Sequence, residues 1–226
     1  MKKSTESSAE PADLASVAYE IVVVGTSWGG LQATRTLIRA LPPEYDIPMV
    51  IVQHRHRYSE ASLAQFLQQY TQLRVCEAED KQPVEPGRMF VAPANYHLLV
   101  ERGHLSLSTE APVRYSRPSI DVAMTSAAHS YGHRSVGVVL TGANTDGAEG
   151  LRLIAASGGL AVVQDPRTAE VATMPQAALR AVPGARVFAL ERLGPFLGGL
   201  PSRRTFQHSE RGAPIGSLPP PAPGAA

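Results

Sequence analysis

Three features of the 226-residue sequence predict an α/β fold with a mostly parallel sheet. Short unbroken apolar runs rich in β-branched residues recur along the chain, as strands buried on both faces require. Amphipathic stretches of helical length separate them. Gly, Pro, Asn and Asp punctuate the junctions. Apolar residues make up 43% and charged residues 18% of the chain, a balance that favours one sizeable packed core.

Residues 20–26 form the first predicted strand, a continuous β-branched run. Residues 31–41 follow as a helix with Leu31, Thr34, Leu37, Ile38 and Leu41 on one stripe, and Pro42-Pro43 stops it. A second strand covers 48–53 and a second helix 59–70. Residues 73–76 and 88–92 read as short strands. Residues 97–100 and 105–108, separated by Glu101-Arg102-Gly103-His104, read as a β-hairpin. Pro118 opens a helix reaching about Tyr131, and 136–140 is another buried strand. The segment TGANTDG then leads into a helix over 147–156. A strand at 160–163, a short helix at 175–180, a strand at 187–189 and a closing helix at 193–200 complete the pattern. This alternation implies right-handed crossovers and a doubly wound, Rossmann-like sheet with helices on both faces, the hairpin being an antiparallel extension.

One domain is expected over 19–200. The polar segment 1–18 and the Pro/Gly-rich segment 201–226 cannot bury enough apolar surface to offset their ordering entropy and are expected to be disordered tails. A formal net charge of +1 without a basic stripe argues against nucleic-acid binding. The single cysteine, Cys76, excludes an intrachain disulfide and a cysteine-based metal cluster, and fits a reducing compartment. Lys2 and Lys3 precede polar residues rather than an apolar signal stretch, and no apolar run approaches the roughly 20 residues of a membrane span. A cytoplasmic protein without membrane insertion is expected.

In such sheets ligands bind beyond the carboxyl ends of the strands. The first strand runs into Gly25-Thr26-Ser27-Trp28-Gly29-Gly30, a Gly-x-Ser-x-Gly turn that exposes the serine hydroxyl beside free N–H groups at a helix start. A phosphate-binding loop is the main competing reading. That loop needs glycine where Ser27 stands and an acidic residue at the next strand end, where Gln53-His54 stand. His54 leaves the second strand on the same edge and could take the serine proton, as an imidazole does near neutral pH; His56 is a weaker candidate. Asp146 follows the strand at 136–140. It reads either as the carboxylate that orients His54 or as the N-cap of its own helix, since Asp146-Gly147-Ala148-Glu149 resembles a capping box. The order Ser, His, Asp differs from the Ser, Asp, His of α/β-hydrolases.

Other polar residues carry weaker signals. Arg55, His56 and Arg57 form a basic cluster, either a solvated loop or a steering patch for an acidic substrate. His129 and His133 are spaced i, i+4, but Gly132 lies between them and no third metal ligand is evident, so no metal is expected. His97 and His104 read as structural, and Ser116 or Ser119 as a helix cap.

Six segments in order, VVVGTSWGGL, VIVQHR, PGRMFVAPANYHLLV, RPSIDVAMTSAA, VGVVLTGANTDGAEGL and GGLAVVQDP with MPQAAL downstream, resemble the catalytic domain of CheB-type protein-glutamate methylesterases of bacterial chemotaxis. The resemblance spans about residues 21 to 190. It implies a Ser-His-Asp triad at Ser27, His54 and Asp146. It also implies hydrolysis of glutamate γ-methyl esters on chemoreceptor helices with release of methanol, often glutamine deamidation, and no cofactor. Three departures stand out. Only about 20 residues precede the first strand where the family usually has a phosphorylatable receiver domain, so control by phosphorylation in the same chain is not expected and a trans-acting regulator is left open. Trp28 replaces the usual Thr or Ala after the nucleophile, and Ala143 replaces a usual Met. Both would line the site, with nearby N–H groups as oxyanion donors. Two other classes stay open: a methylesterase-like signalling module with little or no catalysis, and a nucleotide-binding domain.

Overall fold

A computed structural model describes residues 17–56 and 62–204. The expected disordered tails therefore lie outside the described residues except at 17–18 and 201–204, as do residues 59–61 of the expected second helix. The first half of the chain contains β1 (Ile21–Thr26), α1 (Gly30–Arg39), β2 (Met49–Gln53), α2 (Leu63–Gln68), β3 (Arg74–Glu77) and β4 (Arg88–Val91). The hairpin strands β5 (His97–Glu101) and β6 (His104–Ser108) follow, then α3 (Ile120–Tyr131), β7 (Ser135–Val139) and α4 (Ala148–Ala156). The chain continues through β8 (Leu160–Gln164), α5 (Thr173–Ala181), β9 (Arg186–Phe188) and α6 (Leu190–Gly198). No described helix is long and apolar enough to cross a membrane.

Seven strands form one parallel sheet in the order β3-β4-β2-β1-β7-β8-β9. All six residues of β1 are buried, as expected for a central strand whose β-branched side chains face apolar layers on both sides. Val22 and Val24 join the core under α1, α2 and α6, with Leu37, Leu67 and Leu197. Ile21 and Val23 join the core under α3, α4 and α5, with Met124, Leu151 and Met174. Each such side chain contributes about 1.5–3 kcal/mol by leaving water. The edge strands are short or half-exposed: β9 has three residues, and β3 buries only Val75. Both features discourage further strand pairing.

The expected stripe of α1 shifts in the structure. Thr34, Leu37 and Ile38 are buried together with Ala33, whereas Leu31 is 44% exposed. The hairpin extends the fold on its helical face. β5 and β6 form a separate two-stranded sheet, tightened to the two-residue turn Arg102-Gly103 because Glu101 and His104 pair with each other. Ser126 of α3 accepts from the Val100 N–H at 2.8 Å and Tyr131 from the Gly103 N–H at 3.1 Å, which fastens the hairpin to that helix. Helix α3 ends at Tyr131, so His133 lies beyond it and the His129/His133 spacing does not place the pair on one helical face.

Candidate active site

The chain winds outward from β1 through β2 to β3 and β4, then returns to pair β7 with the other side of β1. The β1/β7 boundary is the switch point where a crevice opens at the carboxyl edge. Backbone bonds continue the ladder past the strand ends there. Leu140 N–H donates to Gly25 O at 2.9 Å, Ser27 N–H to Thr141 O at 3.0 Å and His54 N–H to Thr26 O at 3.1 Å. Three loops thus leave the sheet from hydrogen-bonded roots.

The β1–α1 turn is tight because its left-handed residue is a glycine. Gly29 has φ 75° and caps α1, while Ser27 stays in ordinary backbone geometry. The turn therefore differs from a strained elbow in which the nucleophile itself carries the positive φ. Gly142 answers it from the β7 side. A Cβ there would overlap Met174 Sδ and sit 2.9 Å from Ser27 Cβ, so only glycine lets the two loops meet. Thr141 ties them from beneath, its hydroxyl donating to Trp28 O at 2.9 Å and accepting from Val171 N–H at 2.9 Å.

Ser27, His54 and Asp146 converge on this edge. His54 Nδ1 lies 3.2 Å from Ser27 Oγ, and His54 Nε2 lies 2.7 Å from Asp146 Oδ2. Asp146 is 1% exposed and accepts five hydrogen bonds. They come from His54 Nε2, Ser119 Oγ, Ile120 N–H, Asp121 N–H and Gly147 N–H, at 2.7 to 3.1 Å. Burial pushes its carboxyl up, but the bonds from His54 and from the Asp121 and Ile120 N–H groups outweigh burial and hold it below the ordinary carboxylate value. The ionised carboxylate holds the Nε2 proton of His54. Nδ1 is then left as the acceptor facing the serine hydroxyl. Asn144 Nδ2 also approaches Nδ1, at 3.4 Å, while Asn144 Oδ1 accepts the Asp146 N–H at 3.0 Å.

The capping-box alternative for Asp146 is overturned in an instructive way. Gly147 occupies the N-cap of α4 and contributes no side chain. Asp146 instead caps α3 from outside, through Ile120 N–H and Asp121 N–H. Asp121 returns the favour to α4, accepting from Gly147 N–H at 2.9 Å and Gly150 N–H at 2.8 Å. Ser119 is the N-cap of α3, as anticipated, and also donates to Asp146 Oδ1 at 2.9 Å.

Trp28 and Ala143 are both exposed at the crevice, and their N–H groups donate to no acceptor among the described residues. Beside His54 a cleft of about 470 Å³ opens between Arg55, His56, Asn95, Tyr115 and Arg117. Arg117 is braced by Asn95 Oδ1 at 2.7 Å and by the Thr109 and Glu110 carbonyls. Arg55 is not a free steering charge, because it pairs with Glu77 at 3.3 Å; Arg57 lies outside the described residues. His97 is structural, its Nδ1 accepting from Ser119 N–H and its Nε2 donating to Ala111 O. No group of three potential His, Cys, Asp or Glu metal ligands occurs among the described residues. Asn144, Asp121, Thr141 and Glu170 were not singled out from sequence. Asn144, two positions before Asp146, offered only proximity as a signal.

A parallel α/β sheet with a serine, a histidine and a carboxylate linked in series at its carboxyl edge is an architecture suited to a hydrolase domain. The family model described as CheB methylesterase matches residues 22–197, and the chain belongs to that family. A Leptospira interrogans protein is 45% identical over 176 residues, covering 77% of this chain and 91% of its own length. An Anaeromyxobacter dehalogenans protein named protein-glutamate methylesterase/protein-glutamine glutaminase 2 is 41% identical over 82% of this chain and 54% of its own length. The Myxococcus xanthus protein-glutamate methylesterase FrzG is 37% identical over 78% of this chain. The chain spans about half the length of these last two, 54% and 53%. The crystal structure of the Thermotoga maritima CheB methylesterase catalytic domain superposes with a TM-score of 0.76 at 30% identity, covering 80% of this chain and 98% of that one.

Proposed function

We propose that this chain is a protein-glutamate methylesterase in which Ser27 is the nucleophile, His54 the general base and Asp146 the group that orients it. The observation carrying the reading is that His54 lies between the other two, one ring nitrogen on each. Ser27 Oγ attacks the γ-ester carbonyl as its proton passes to Nδ1 of His54. The tetrahedral intermediate expels methoxide, which leaves as methanol with that proton. Water, deprotonated by the same nitrogen, hydrolyses the acyl-enzyme to glutamate and restores the serine. A glutamine side chain would follow the same path with ammonia as leaving group. Trp28 and Ala143 N–H groups, which meet no acceptor among the described residues, are the oxyanion donors in this scheme. No step requires a cofactor.

The substrates under this reading are methylated helices of chemoreceptor type, met in the cytoplasm. The relatives' names, which specify glutamate and glutamine side chains of proteins, and the exposed crevice support a protein substrate. Methanol release from methylated receptor preparations tests it. Wild type should turn over, and Ser27→Ala should lose on the order of 10⁶ in kcat. A Ser27→Ala protein that releases methanol at the wild-type rate would refute the mechanism. A fluorophosphonate probe should label Ser27 and fail in His54→Ala.

A further inference from the structure

The carboxyl edge of the sheet carries its charges in an order set by topology. From one side it presents the β2 loop with Arg55 and His56, then Ser27 and Trp28 after β1, the β7 loop with Asp146, and the β8–α5 loop with Glu170. Arg55 is already matched by Glu77. Glu170 is not: among the described residues no Lys, Arg or His nitrogen lies within salt-bridge distance of its exposed carboxylate. Among the described residues its hydrogen-bond partner is Trp28, whose indole Nε1–H donates to Oε1 at 3.0 Å.

That hydrogen bond sets an aromatic face and a carboxylate side by side. Trp28 is 66% exposed despite being the only tryptophan in the chain, and its ring buries little in the core. Glu170 is packed onto the turn, its Oε2 within 2.6 Å of where a Gly29 Cβ would stand. Among the described residues its carboxylate accepts from the Trp28 indole and from no backbone N–H of α1. An oriented carboxylate next to an open indole face is the chemistry that recognises an alkylammonium or guanidinium group, by ion pairing and cation–π attraction together.

Building on the methylesterase reading, we infer that Trp28 and Glu170 form a recognition site for a Lys or Arg side chain of the substrate protein, placed one to two helical turns from the target glutamate. The spacing follows from geometry. Glu170 lies in the β8–α5 loop, which Val171 ties back to Thr141 and Gly142, and its carboxylate stands against Gly29, two residues from Ser27. A helix advances about 5.4 Å per turn, so a residue two turns away lies about 11 Å from the target, and a long side chain bridges the gap from one turn. Trp28 itself reaches toward Glu170 and shortens the distance. The site would orient the substrate helix with its basic residue on the β8 side of Ser27.

Helical peptides carrying one glutamate γ-methyl ester test this, with Lys or norleucine one or two turns to either side. Methanol release by wild type should favour the Lys peptide at one of these positions by about three- to tenfold in kcat/KM, mainly through KM. The preference should shrink with added salt, collapse in Glu170→Gln, which keeps an acceptor for the indole, and invert toward a Glu-bearing peptide in Glu170→Lys. Equal, measurable turnover of Lys and norleucine peptides, or an undiminished preference in Glu170→Gln, overturns the cation site and leaves the esterase reading standing. If no peptide is hydrolysed and a fluorophosphonate fails to label Ser27, the esterase reading and the site built on it fall together.

Discussion

Asp146 and Asp121 each hold the N-terminus of the other's helix. Asp146, which precedes α4, accepts from Ile120 and Asp121 at the start of α3; Asp121, in the first turn of α3, accepts from Gly147 and Gly150 at the start of α4. Two buried carboxylates are thereby locked near each other, and the whole exchange orients the one that faces His54. Arg114 offsets part of the like charge through Nε, 3.4 Å from Asp121 Oδ2. The arrangement makes the carboxylate end of the relay a structural element as well as a chemical one.

Asp146 variants should therefore lose stability as well as activity. Asp146→Ala strands five donors, and unfolding free energy should fall by about 3–5 kcal/mol. Asp146→Asn places an amide NH₂ against two or three of those donors, whichever way it turns. The rotamer that opposes only two donors turns its NH₂ toward His54 Nε2 and Ile120 N–H; it should cost about 2–4 kcal/mol and reduce kcat by on the order of 10⁴, because Nε2 of His54 then loses its acceptor. Denaturant melts run beside methanol-release assays check both numbers. A fully stable Asp146→Ala protein would contradict the capping role.

Asp121 and Asp146 should respond to pH with opposite signs. Asp146 is held below its ordinary value of 3.8, so the stability it contributes is present above that value and is lost as pH falls through its native pKa. Asp121 is raised: burial pushes it up, the Gly150 N–H pulls it down, and the Asp146 charge pushes it up again. Its contribution is present below the unfolded value and is lost as pH rises through the raised native one. Asp121→Asn keeps an acceptor oxygen and removes the charge. Its Tm relative to wild type should climb as pH rises from about 3.5 toward 7. A difference that stays flat or shrinks over that range would show that the repulsion is not felt.

Asn144 braces the relay without being buried in it. Its amide oxygen takes the Asp146 N–H and its nitrogen stands 3.4 Å from His54 Nδ1. Asn144→Ala should leave Tm within a few degrees and lower kcat by about tenfold, the equivalent of one modest hydrogen bond in the barrier. An unchanged kcat would remove Asn144 from the site.

Gly142 tests the close approach of the two loops. Gly142→Ala drives a methyl into Met174 Sδ and toward Ser27 Cβ, and should destabilise by about 1–3 kcal/mol while misplacing the nucleophile. Met174→Ala alone should lose about 2–4 kcal/mol from its buried position. If the two sites couple as drawn, the double variant should be less destabilised than the sum of the singles. Strict additivity in the same melts would mean that the clash is relieved elsewhere.

Much of this was legible in the residues. The β-branched run ending at Thr26, the run ending at Gln53 and the run ending at Leu140 located three strand ends, and a parallel sheet has to bring such ends to one edge. Periodicity and turn chemistry place Ser27, His54 and Asp146 at that edge, but they leave Asp146 open between helix cap and orienting carboxylate, and its place in a triad is what the resemblance to CheB-type methylesterases implies. Local propensity also found Ser119 as a cap and His97 as structural.

What the tertiary structure decided were the partners. Which ring nitrogen of His54 meets Ser27, which helix Asp146 caps, and where the indole of Trp28 is tied depend on pairs separated by 27, 25 and 142 positions. Hydrophobic periodicity is a local property of the backbone and can be read residue by residue. A side-chain hydrogen bond between loops depends on where each loop returns after its crossover, and no local pattern records that distance. The strand ends were the sequence's to determine; the directions in which their side chains point belong to the folded sheet.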